Sequence, residues 1–349
     1  LWAWAAWSCF YLIYCLSAFR TTGITAFAQE ANYKFRRLET EDGLSNGIIY
    51  TTLKDSRGFV WFGTDHGLNR YDSYEIKSYL HDPEDPSSIS ASKAIALAED
   101  SKGNIWIVTS VGVNKYNPIT DQFTRYTKTA KGLDFSVACL MVDENDNVLA
   151  GAEDIGLLIL RKGADSFASL SSNSAVTNGL AGNQFFDIIQ DGPNKFWLST
   201  DYAGLELFDL TTGSYKQYSF EWPDPIFSDG QKPILKSRDG DIWVGTSIGV
   251  FKLDRDTEKF QRYADWDSGF STLIVNALYE DRDGSIWIGT DGGGINILDR
   301  NKKSYRYIIS NPFYEKSLTS NAIYDIYEDY DGIIWVGTYA AGVNIYNSS

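Results

Sequence analysis

One stretch decides the fold of this chain: Asp55-Ser-Arg-Gly-Phe-Val-Trp61-Phe-Gly-Thr64-Asp-His-Gly67-Leu-Asn-Arg-Tyr-Asp72. It begins with a polar turn that ends in glycine, a residue that accepts positive φ at no steric cost. A short apolar strand around Trp61 follows, and a second turn leads into another strand from Leu68. A single copy of this pattern would predict only a β-hairpin.

The pattern recurs along the whole chain. Its anchor is a tryptophan in six copies and a leucine in a degenerate third copy, at positions 61, 106, 149, 197, 243, 287 and 335. A period of about 40 to 50 residues with several strands per unit is typical of β-propellers. We therefore predict an all-β fold, a seven-bladed β-propeller whose blades are four-stranded antiparallel sheets.

The seventh repeat ends at the strand Val343 to Tyr346 and lacks an outermost strand of its own. The segment 33–38, Tyr33-Lys-Phe-Arg-Arg-Leu38, alternates in character as the outermost strands of the other repeats do. We predict that it completes the last blade and closes the ring, which removes an exposed strand edge. The propeller would then span residues 33–349. In the third and weakest repeat, the outermost strand is predicted at Ser166 to Leu170.

The repeated tryptophans are predicted to be structural blade anchors. One large ring per blade fills the wedge between neighbouring sheets and buries roughly 150–250 Å². The small residue that follows leaves room for the next sheet. A ligand role for a single ring is the less favoured alternative. These anchors are Trp61, Trp106, Trp197, Trp243, Trp287 and Trp335.

Composition and charge argue against several classes of function. The formal net charge of −15 and the pI of about 4.6 argue against a nucleic-acid partner, because an acidic surface repels phosphates. His66 and His81 are the only histidines, so a histidine-rich metal site is excluded. Aspartate pairs such as Asp281 and Asp283 recur in the same turn of successive repeats, which turn chemistry explains. We predict no catalytic residues, no metal and no cofactor.

The first 28 residues differ from the rest. An apolar run from Leu1 to Phe19 precedes Ala26-Phe-Ala28, whose small residues suit a signal peptidase site. We predict a signal peptide, residues 1–28. The run is also long enough for a retained membrane anchor, which stays open as an alternative. Cys139 is the only cysteine after this segment, and we interpret it as a small buried hydrophobic residue.

Binding residues are sought where loops converge. In a propeller, the loops between blades and the turns between second and third strands share one rim, which we call the loop rim. Its amides, hydroxyls, carboxylates and aromatic rings suit a polar, uncharged, polyhydroxylated ligand, and a protein partner nearly as well. The candidate ligand-binding residues are Asn46, Asp65, His66, Gln184, Asp201, Tyr202, Asp291, Asn321 and Tyr339.

Several motifs resemble the two-component regulator propeller repeat. They are Asp42-Gly-Leu-Ser-Asn46, Asp55-Ser-Arg-Gly58, Val60-Trp-Phe-Gly-Thr64, Gly67-Leu-Asn-Arg-Tyr-Asp72, Ile286-Trp-Ile-Gly-Thr290 and Ile334-Trp-Val-Gly-Thr338. The resemblance covers residues 33–349 and is weakest in the third repeat, where Leu149 replaces the tryptophan. It is specific because seven copies occur in series.

The resemblance implies a function. Such propellers form the periplasmic sensor half of hybrid histidine kinases of Bacteroidetes, which work as dimers and respond to glycans or oligosaccharides. A second propeller, an immunoglobulin-like domain, a membrane helix, and kinase, receiver and DNA-binding domains normally follow. The chain would thus be the first sensor propeller of a longer receptor, periplasmic and anchored in the inner membrane. The family motif is structural and assigns no ligand residue.

Two other functions remain open on the sequence. A propeller lyase or glycosidase would need acid–base groups that converge at the axis. A protein-binding scaffold would show no effect of a small ligand. Whether Asp65, Asp201 and Asp291 meet across the central opening distinguishes the sensor from the enzyme.

Overall fold

The computed structural model describes residues 33–153, 155–170, 184–201, 204–218, 232–263, 270–300 and 304–347. The predicted signal peptide and Tyr202 lie outside these residues. In the part of the chain that is described, no helix is both long enough and apolar enough to cross a membrane. A short 3-10 helix at Thr40–Asp42 is followed by Gly43 in the left-handed conformation.

The described strands form seven four-stranded antiparallel sheets, so the predicted seven-bladed propeller is confirmed. Blade 1 holds β2 (Ile49–Lys54), β3 (Val60–Thr64), β4 (Gly67–Tyr71) and β5 (Ile76–Tyr79). Blade 2 holds β6 (Ala94–Glu99), β7 (Ile105–Thr109), β8 (Gly112–Asn117) and β9 (Gln122–Tyr126). Blade 3 holds β10 (Val137–Val142), β11 (Val148–Ala152), β12 (Gly156–Leu160) and β13 (Ala168–Ser169). Blade 4 holds β14 (Phe185–Gly192), β15 (Lys195–Thr200), β16 (Gly204–Asp209) and β17 (Ser214–Tyr218).

The remaining blades complete the ring. Blade 5 holds β18 (Ile234–Lys236), β19 (Ile242–Thr246), β20 (Gly249–Asp254) and β21 (Lys259–Arg262). Blade 6 holds β22 (Val275–Glu280), β23 (Ile286–Thr290), β24 (Ile295–Asp299) and β25 (Ser304–Ile308). Blade 7 holds β26 (Ile323–Glu328), β27 (Ile333–Thr338), β28 (Val343–Asn347) and, from the start of the described chain, β1 (Phe35–Leu38).

The ring closes as predicted. Strand β1 pairs antiparallel with β28, with Phe35 opposite Tyr346 and Leu38 opposite Val343. The Tyr33 ring packs edge-on against Trp287 of blade 6, with 5.6 Å between ring centroids. The N-terminal strand therefore joins the last blade through both hydrogen bonds and apolar packing.

The outermost strand of blade 3 is shorter than predicted. It comprises Ala168 and Ser169 instead of Ser166 to Leu170. The preceding residue, Phe167, forms a parallel bridge with Thr129 in the loop that enters the blade, and its carbonyl accepts the Ala130 N–H at 2.8 Å. Because the backbone of Phe167 pairs with this loop, only two residues of the outermost strand pair with β12.

The six anchor tryptophans are buried, none more than 4% exposed. Two residues after the anchor, five of the seven repeats have a glycine, which close packing requires. A Cβ added at Gly245 would lie 2.5 Å from Val275 Cγ1, and one at Gly337 would lie 2.9 Å from Ile49 Cγ2. In each case the contact is with the first residue of the next blade's innermost strand. The repeat thus encodes the contact between blades as well as the blade itself.

Four blades share a buried polar contact that we call the Asp–Trp clamp. The carboxylate of Asp55 accepts the indole N–H of Trp61 at 2.9 Å and the backbone N–H of Phe59 at 2.9 Å. The same bond, from a tryptophan to the aspartate six residues earlier, joins the pairs Asp100–Trp106, Asp281–Trp287 and Asp329–Trp335. The clamp satisfies a buried indole N–H and fixes the turn before the strand.

The same four blades share a second contact, the Asn–Ser clamp. In blade 2, the side chain of Asn114 accepts the backbone N–H of Ser90 and donates to its hydroxyl, both at 2.8 Å. The equivalent pairs are Ser45–Asn69, Ser271–Asn296 and Thr319–Asn344. This clamp ties the loop that enters a blade to the third strand of that blade.

Candidate functional site

An axial channel of about 630 Å³ runs between the innermost strands of all seven blades. Hydrogen bonds between turns and interblade loops place its mouth on the loop rim. The N–H of Gly67, the first residue of β4, donates to the Ser92 carbonyl, and the Tyr339 N–H donates to the Ala322 carbonyl. The mouth is therefore framed by the two kinds of segment predicted to carry ligand contacts.

Six of the seven innermost strands, all except β18, have a β-bulge near the mouth. In blade 1, Ile49 pairs with Thr64 and Thr51 pairs with Gly63, so Tyr50 is the extra residue. A bulge re-aims a side chain and is over-represented beside binding sites. Every extra residue lines the channel. These bulge residues are Tyr50, Ile95, Ala138, Phe186, Asn276 and Tyr324.

Aromatic rings meet at one side of the mouth. The Tyr50 and Tyr324 rings pack edge to face with 5.9 Å between centroids, and Tyr339 lies 5.7 Å from Tyr324. The ammonium of Lys93 sits 4.6 Å from the centre of the Tyr50 ring. Tyr339 is half exposed, at 50%. The side of the mouth formed by blades 7 and 1 thus presents aromatic surface to a ligand.

Two carboxylates border these rings. Asp65 accepts the Tyr50 hydroxyl at 3.0 Å and lies 3.4 Å from the Lys93 ammonium. Asp291 lines the same channel, and burial, with a smaller contribution from the Asp291 charge, raises the pKa of Tyr324. Contact with Tyr50 and Asp65 raises the pKa of Lys93, which keeps it charged. We call the group Tyr50, Asp65, Lys93, Asp291, Tyr324 and Tyr339 the mouth cluster.

The predicted rim residues fall into two groups. Three of them, Asp65, Asp291 and Tyr339, belong to the mouth cluster. Asn46 and Asn321 instead accept backbone N–H groups through their side chains, from Ile48 at 2.8 Å and from Ser310 at 2.6 Å. These two asparagines shape turns.

Elsewhere on the rim, Gln184 and Asp201 contact each other. The Gln184 backbone N–H donates to Asp201 Oδ1 at 3.3 Å, and the Gln184 side chain donates to Glu153 at 3.0 Å. His66 is exposed, and its backbone N–H donates to the Thr64 hydroxyl at 3.1 Å. None of these three side chains lines the axial channel.

Asp65, Asp201 and Asp291 do not converge at the axis, as the acid–base groups of a propeller lyase or glycosidase would. Asp65 and Asp291 lie at the mouth, while Asp201 contacts Gln184 outside the channel wall. Among the described ranges, no group of three or more His, Cys, Asp or Glu side chains is arranged to hold a metal ion. The mouth cluster can therefore offer hydrogen bonds, aromatic faces and charge to a ligand.

Sequence reasoning missed Tyr50, Lys93 and Tyr324. The two tyrosines lie within β2 and β26, where an assumed strict alternation of inward and outward side chains conceals an extra residue. A signal was present: buried residues stand three apart, not two, at Ile49 and Thr52 and again at Ile323 and Ile326. That spacing marks a bulge between them.

A larger cavity of about 880 Å³ lies where β1 joins the ring, lined in part by Arg37, Asn46 and Phe313. Its walls are mainly the turns 39–48, 310–319 and 340–342. Phe313 is 97% exposed at its edge. The axial channel is the better candidate, because aromatic rings and charged groups from several blades converge there.

Comparison with known proteins identifies the repeat. The family model described as "Two component regulator propeller" matches residues 43–66, 269–292 and 317–340, which lie in blades 1, 6 and 7. The chain thus carries two-component regulator propeller repeats, as the resemblance indicated. Over 78 residues, 22% of this chain, it is 35% identical to Histidine kinase P4 of Formosa agariphila, and this match spans 6% of that protein.

Solved structures share the fold. The chain superposes on the extracellular domain of a protein described as the hybrid two component system BT3049 from B. thetaiotaomicron with a TM-score of 0.77 at 24% identity. That match covers 91% of this chain and 42% of the other. A catalytically inactive virginiamycin B lyase from Staphylococcus aureus, solved with quinupristin, gives a TM-score of 0.67 at 13% identity over 90% of this chain and 99% of the lyase. At these identities the likeness establishes the fold alone.

Proposed function

We propose that this chain is the non-catalytic sensor propeller of a hybrid two-component receptor and that it binds a glycan or oligosaccharide at the mouth cluster. The mouth cluster is the observation that carries the proposal. The tyrosine faces suit the apolar faces of sugar rings, and the carboxylates and the ammonium suit sugar hydroxyls. The propeller repeats and the likeness to an extracellular domain support the receptor assignment.

The receptor context is part of the proposal. The propeller would be periplasmic and would belong to a longer chain with a second propeller, an immunoglobulin-like domain and a kinase. It would act as a homodimer anchored in the inner membrane. Binding would signal only if the ligand prefers one arrangement of the receptor over another, because differential affinity alone shifts an equilibrium.

The ligand should be uncharged. The mouth cluster carries two carboxylates against one ammonium, and the whole chain has a formal net charge of −15. An anionic glycan would therefore be repelled on approach. We expect neutral oligosaccharides to bind in preference to uronate or sulfated ones of the same length.

The test is a thermal-shift and calorimetric screen of the purified chain against neutral and anionic hexasaccharides. A ligand at a hundredfold excess over Kd should stabilise the folded state by roughly 2.7 kcal/mol. Tyr324→Ala should weaken the binding of any neutral hit at least tenfold. The matched control is Tyr74→Ala, which removes a tyrosine that is 92% exposed in the turn between β4 and β5.

The alternatives give different outcomes. Intact oligosaccharide after long incubation supports a sensor, whereas shorter products, read by chromatography, would establish a propeller lyase or glycosidase. A flat panel from a folded sample would overturn direct glycan binding and leave the protein-binding scaffold.

A further inference from the structure

The cavity at the closure of the ring, which we call the closure cavity, is distinct from the mouth cluster. It has a volume of about 880 Å³ and lies between the loops that enter blades 7 and 1. None of the six residues of the mouth cluster lines it. Its volume falls within the usual range for small-ligand pockets, roughly 300–1,000 Å³. The closure cavity is therefore large enough to hold a ligand of its own.

Arg37 in the wall of this cavity has a counterpart in blade 2, Arg125. Both lie in the fourth strand of their blade, two residues after a phenylalanine. Each stands opposite the asparagine of the Asn–Ser clamp, since Arg37 pairs with Asn344 and Arg125 pairs with Asn114. The two arginines thus occupy the same position in two copies of the repeat, and their contacts can be compared directly.

The two arginines differ in what they bind. The Arg125 Nε atom donates to the Ser88 carbonyl at 2.8 Å, and its Nη2 atom donates to the Asp85 carbonyl at 2.8 Å and to the Ser88 hydroxyl at 2.7 Å. Arg37 makes only one long contact of this kind, from Nη2 to the Ser317 carbonyl at 3.4 Å. Its Nε atom is buried without a hydrogen-bond partner among the described residues. Because unpaired donors of a charged group are costly, an acceptor from a ligand would complete this site.

A backbone donor in the same wall is also left over. In blade 6, the N–H groups of Gly292 and Gly294 both donate to the Asn321 carbonyl. Ala340 takes the place of Gly292 in blade 7, and both residues have positive φ. The Ala340 N–H forms no hydrogen bond with a described residue. The closure cavity thus contains two kinds of donor whose counterparts in other blades are bonded.

The charges around the cavity restrict the kind of ligand. A guanidinium group binds a carboxylate best, because its donors match the two oxygens. Three glutamates line the same cavity and form no ion pair with Arg37: Glu39, Glu41 and Glu315. Their charges outweigh that of Arg37 and repel a simple anion. A ligand that carries an ammonium group as well as a carboxylate satisfies both signs of charge.

An aromatic ring lies at the edge of the cavity. Phe313 is 97% exposed and follows a proline in the loop that enters blade 7. The equivalent loop of blade 2 has Glu84 after its proline. An exposed phenylalanine offers a ligand apolar surface and an aromatic face. The ligand is therefore expected to have an apolar side chain between its charged ends.

We propose that the closure cavity binds a short peptide with free ends, whose terminal carboxylate accepts hydrogen bonds from Arg37 and whose ammonium group faces the glutamates. An apolar side chain of the peptide packs on Phe313, and the Ala340 N–H donates to a peptide carbonyl. This inference goes beyond the proposed function, because it adds a second class of ligand at a second site and does not depend on glycan binding.

The experiment measures peptide binding to the purified chain by isothermal titration calorimetry. The probe is alanyl-alanyl-phenylalanine, compared with its C-terminal amide, its N-acetyl form and trialanine. The amide lacks the carboxylate and should bind at least tenfold more weakly. The N-acetyl form lacks the ammonium group, and trialanine lacks the ring. We expect each of these two to bind severalfold more weakly than the probe.

Variants of the chain assign the site. Arg37→Gln should weaken binding of the probe at least tenfold, and Phe313→Ala should weaken it severalfold. The matched control is Arg36→Gln, because Arg36 donates to the Tyr71 hydroxyl at 3.3 Å and does not line the cavity. This control should keep wild-type affinity. Thermal unfolding of each variant checks that it is folded.

Several results would overturn the inference. They are equal affinity for the probe and its amide, wild-type affinity in a folded Arg37→Gln variant, and no heat of binding at millimolar probe. If Arg37→Gln fails to fold, the amide comparison and Phe313→Ala decide. Displacement of the probe by a neutral hexasaccharide would place the peptide at the mouth cluster instead. A chain that binds the probe but no oligosaccharide would overturn the proposed function and leave the closure cavity as a peptide site.

Discussion

Blades 6, 7, 1 and 2 form one half of the ring, and blades 3, 4 and 5 form the other. Each blade of the first half contains both the Asp–Trp clamp and the Asn–Ser clamp. In the second half, Ser237 replaces the clamp aspartate of blade 5, and the Trp243 indole N–H is buried without a hydrogen-bond partner in the described part of the chain. In blade 4, Asp191 stands six residues before Trp197 but forms ion pairs with Lys236 and Arg255. The position of the clamp asparagine is taken in blades 3, 4 and 5 by Leu158, Glu206 and Phe251.

The comparison shows how the fold survives the loss of its own motif. In blade 3, Leu149 has no indole N–H, and the turn aspartate Asp143 accepts a hydrogen bond from the side chain of Asn147 at 2.8 Å. Blades 3 and 4 then rely on an apolar cluster that includes Leu149, Phe185 and Phe196. The mouth cluster draws all six of its residues from the clamped half. Polar clamps and candidate binding groups thus occur in the same four blades.

Removing a clamp from the first half should have the largest effect. Asp55 is fully buried and accepts the Trp61 indole N–H and two backbone N–H groups, from Arg57 and Phe59. We expect Asp55→Ala to lower the free energy of unfolding by about 3 kcal/mol, because these donors lose their partner. Ser237→Ala, at the equivalent place in blade 5, should cost under about 1 kcal/mol. Equal losses in urea unfolding would contradict the division of the ring.

Replacing the clamp asparagine of blade 2 with the leucine that blade 3 has at that position should have the next largest effect on stability. Asn114→Leu introduces the residue type found at position 158 and leaves the Ser90 N–H buried without an acceptor. We expect a loss of about 2 kcal/mol. A double-mutant cycle with Ser90→Ala measures the coupling directly, and a coupling near zero would mean that the clamp adds no stability.

The two aspartates that line the channel, Asp187 and Asp325, should differ in how they change the pH dependence of folding stability. The Asp325 carboxyl keeps its proton up to about pH 7 in the folded state, against an ordinary pKa of 3.8. The folded state therefore binds more protons between these values, and stability should fall as pH rises, on the order of 1 kcal/mol per pH unit for one such group. Asp187→Asn should destabilise at every pH, since a backbone N–H loses its acceptor.

Denaturant unfolding at pH 5, 6, 7 and 8 checks this expectation. Asp325→Asn should flatten the slope between pH 6 and pH 7, where Asp187, with a pKa of about 6, contributes little. An unchanged slope in that interval would show that Asp325 titrates in its ordinary range.

Introducing an Asp–Trp clamp into blade 5 should have the smallest effect, and this effect should be an increase in stability. Ser237 stands six residues before Trp243, where the clamped blades have aspartate. Ser237→Asp should provide the Trp243 indole with an acceptor and raise stability by about 1 kcal/mol. The same change in a Trp243→Phe background has no N–H to satisfy, so the gain should vanish there. A gain in both backgrounds would assign it to something other than the clamp.

Most of the fold could be predicted from the sequence, because each feature of the repeat depends on residues that are close together in the chain. Trp61 and its counterparts, the glycine two residues later and the preceding turn each have a local cause that survives repetition. The short β13 escaped prediction, since it depends on where the distant Thr129 loop captures Phe167. Of the predicted rim residues, Asp65, Asp291 and Tyr339 meet at the mouth cluster, whereas Asn46 and Asn321 shape turns.

By itself, the sequence determined the number of blades, their strand order and the closing strand, because each follows from periodicity and burial within one repeat. Only the tertiary structure decided which side chains share the axis. Tyr50, Lys93, Tyr324 and Asp325 come from blades 1, 2 and 7, and the register of the bulges, a property of paired strands, directs the two tyrosines into the channel. Closure of the ring then brings positions more than 270 residues apart, Tyr50 and Tyr324, into ring contact.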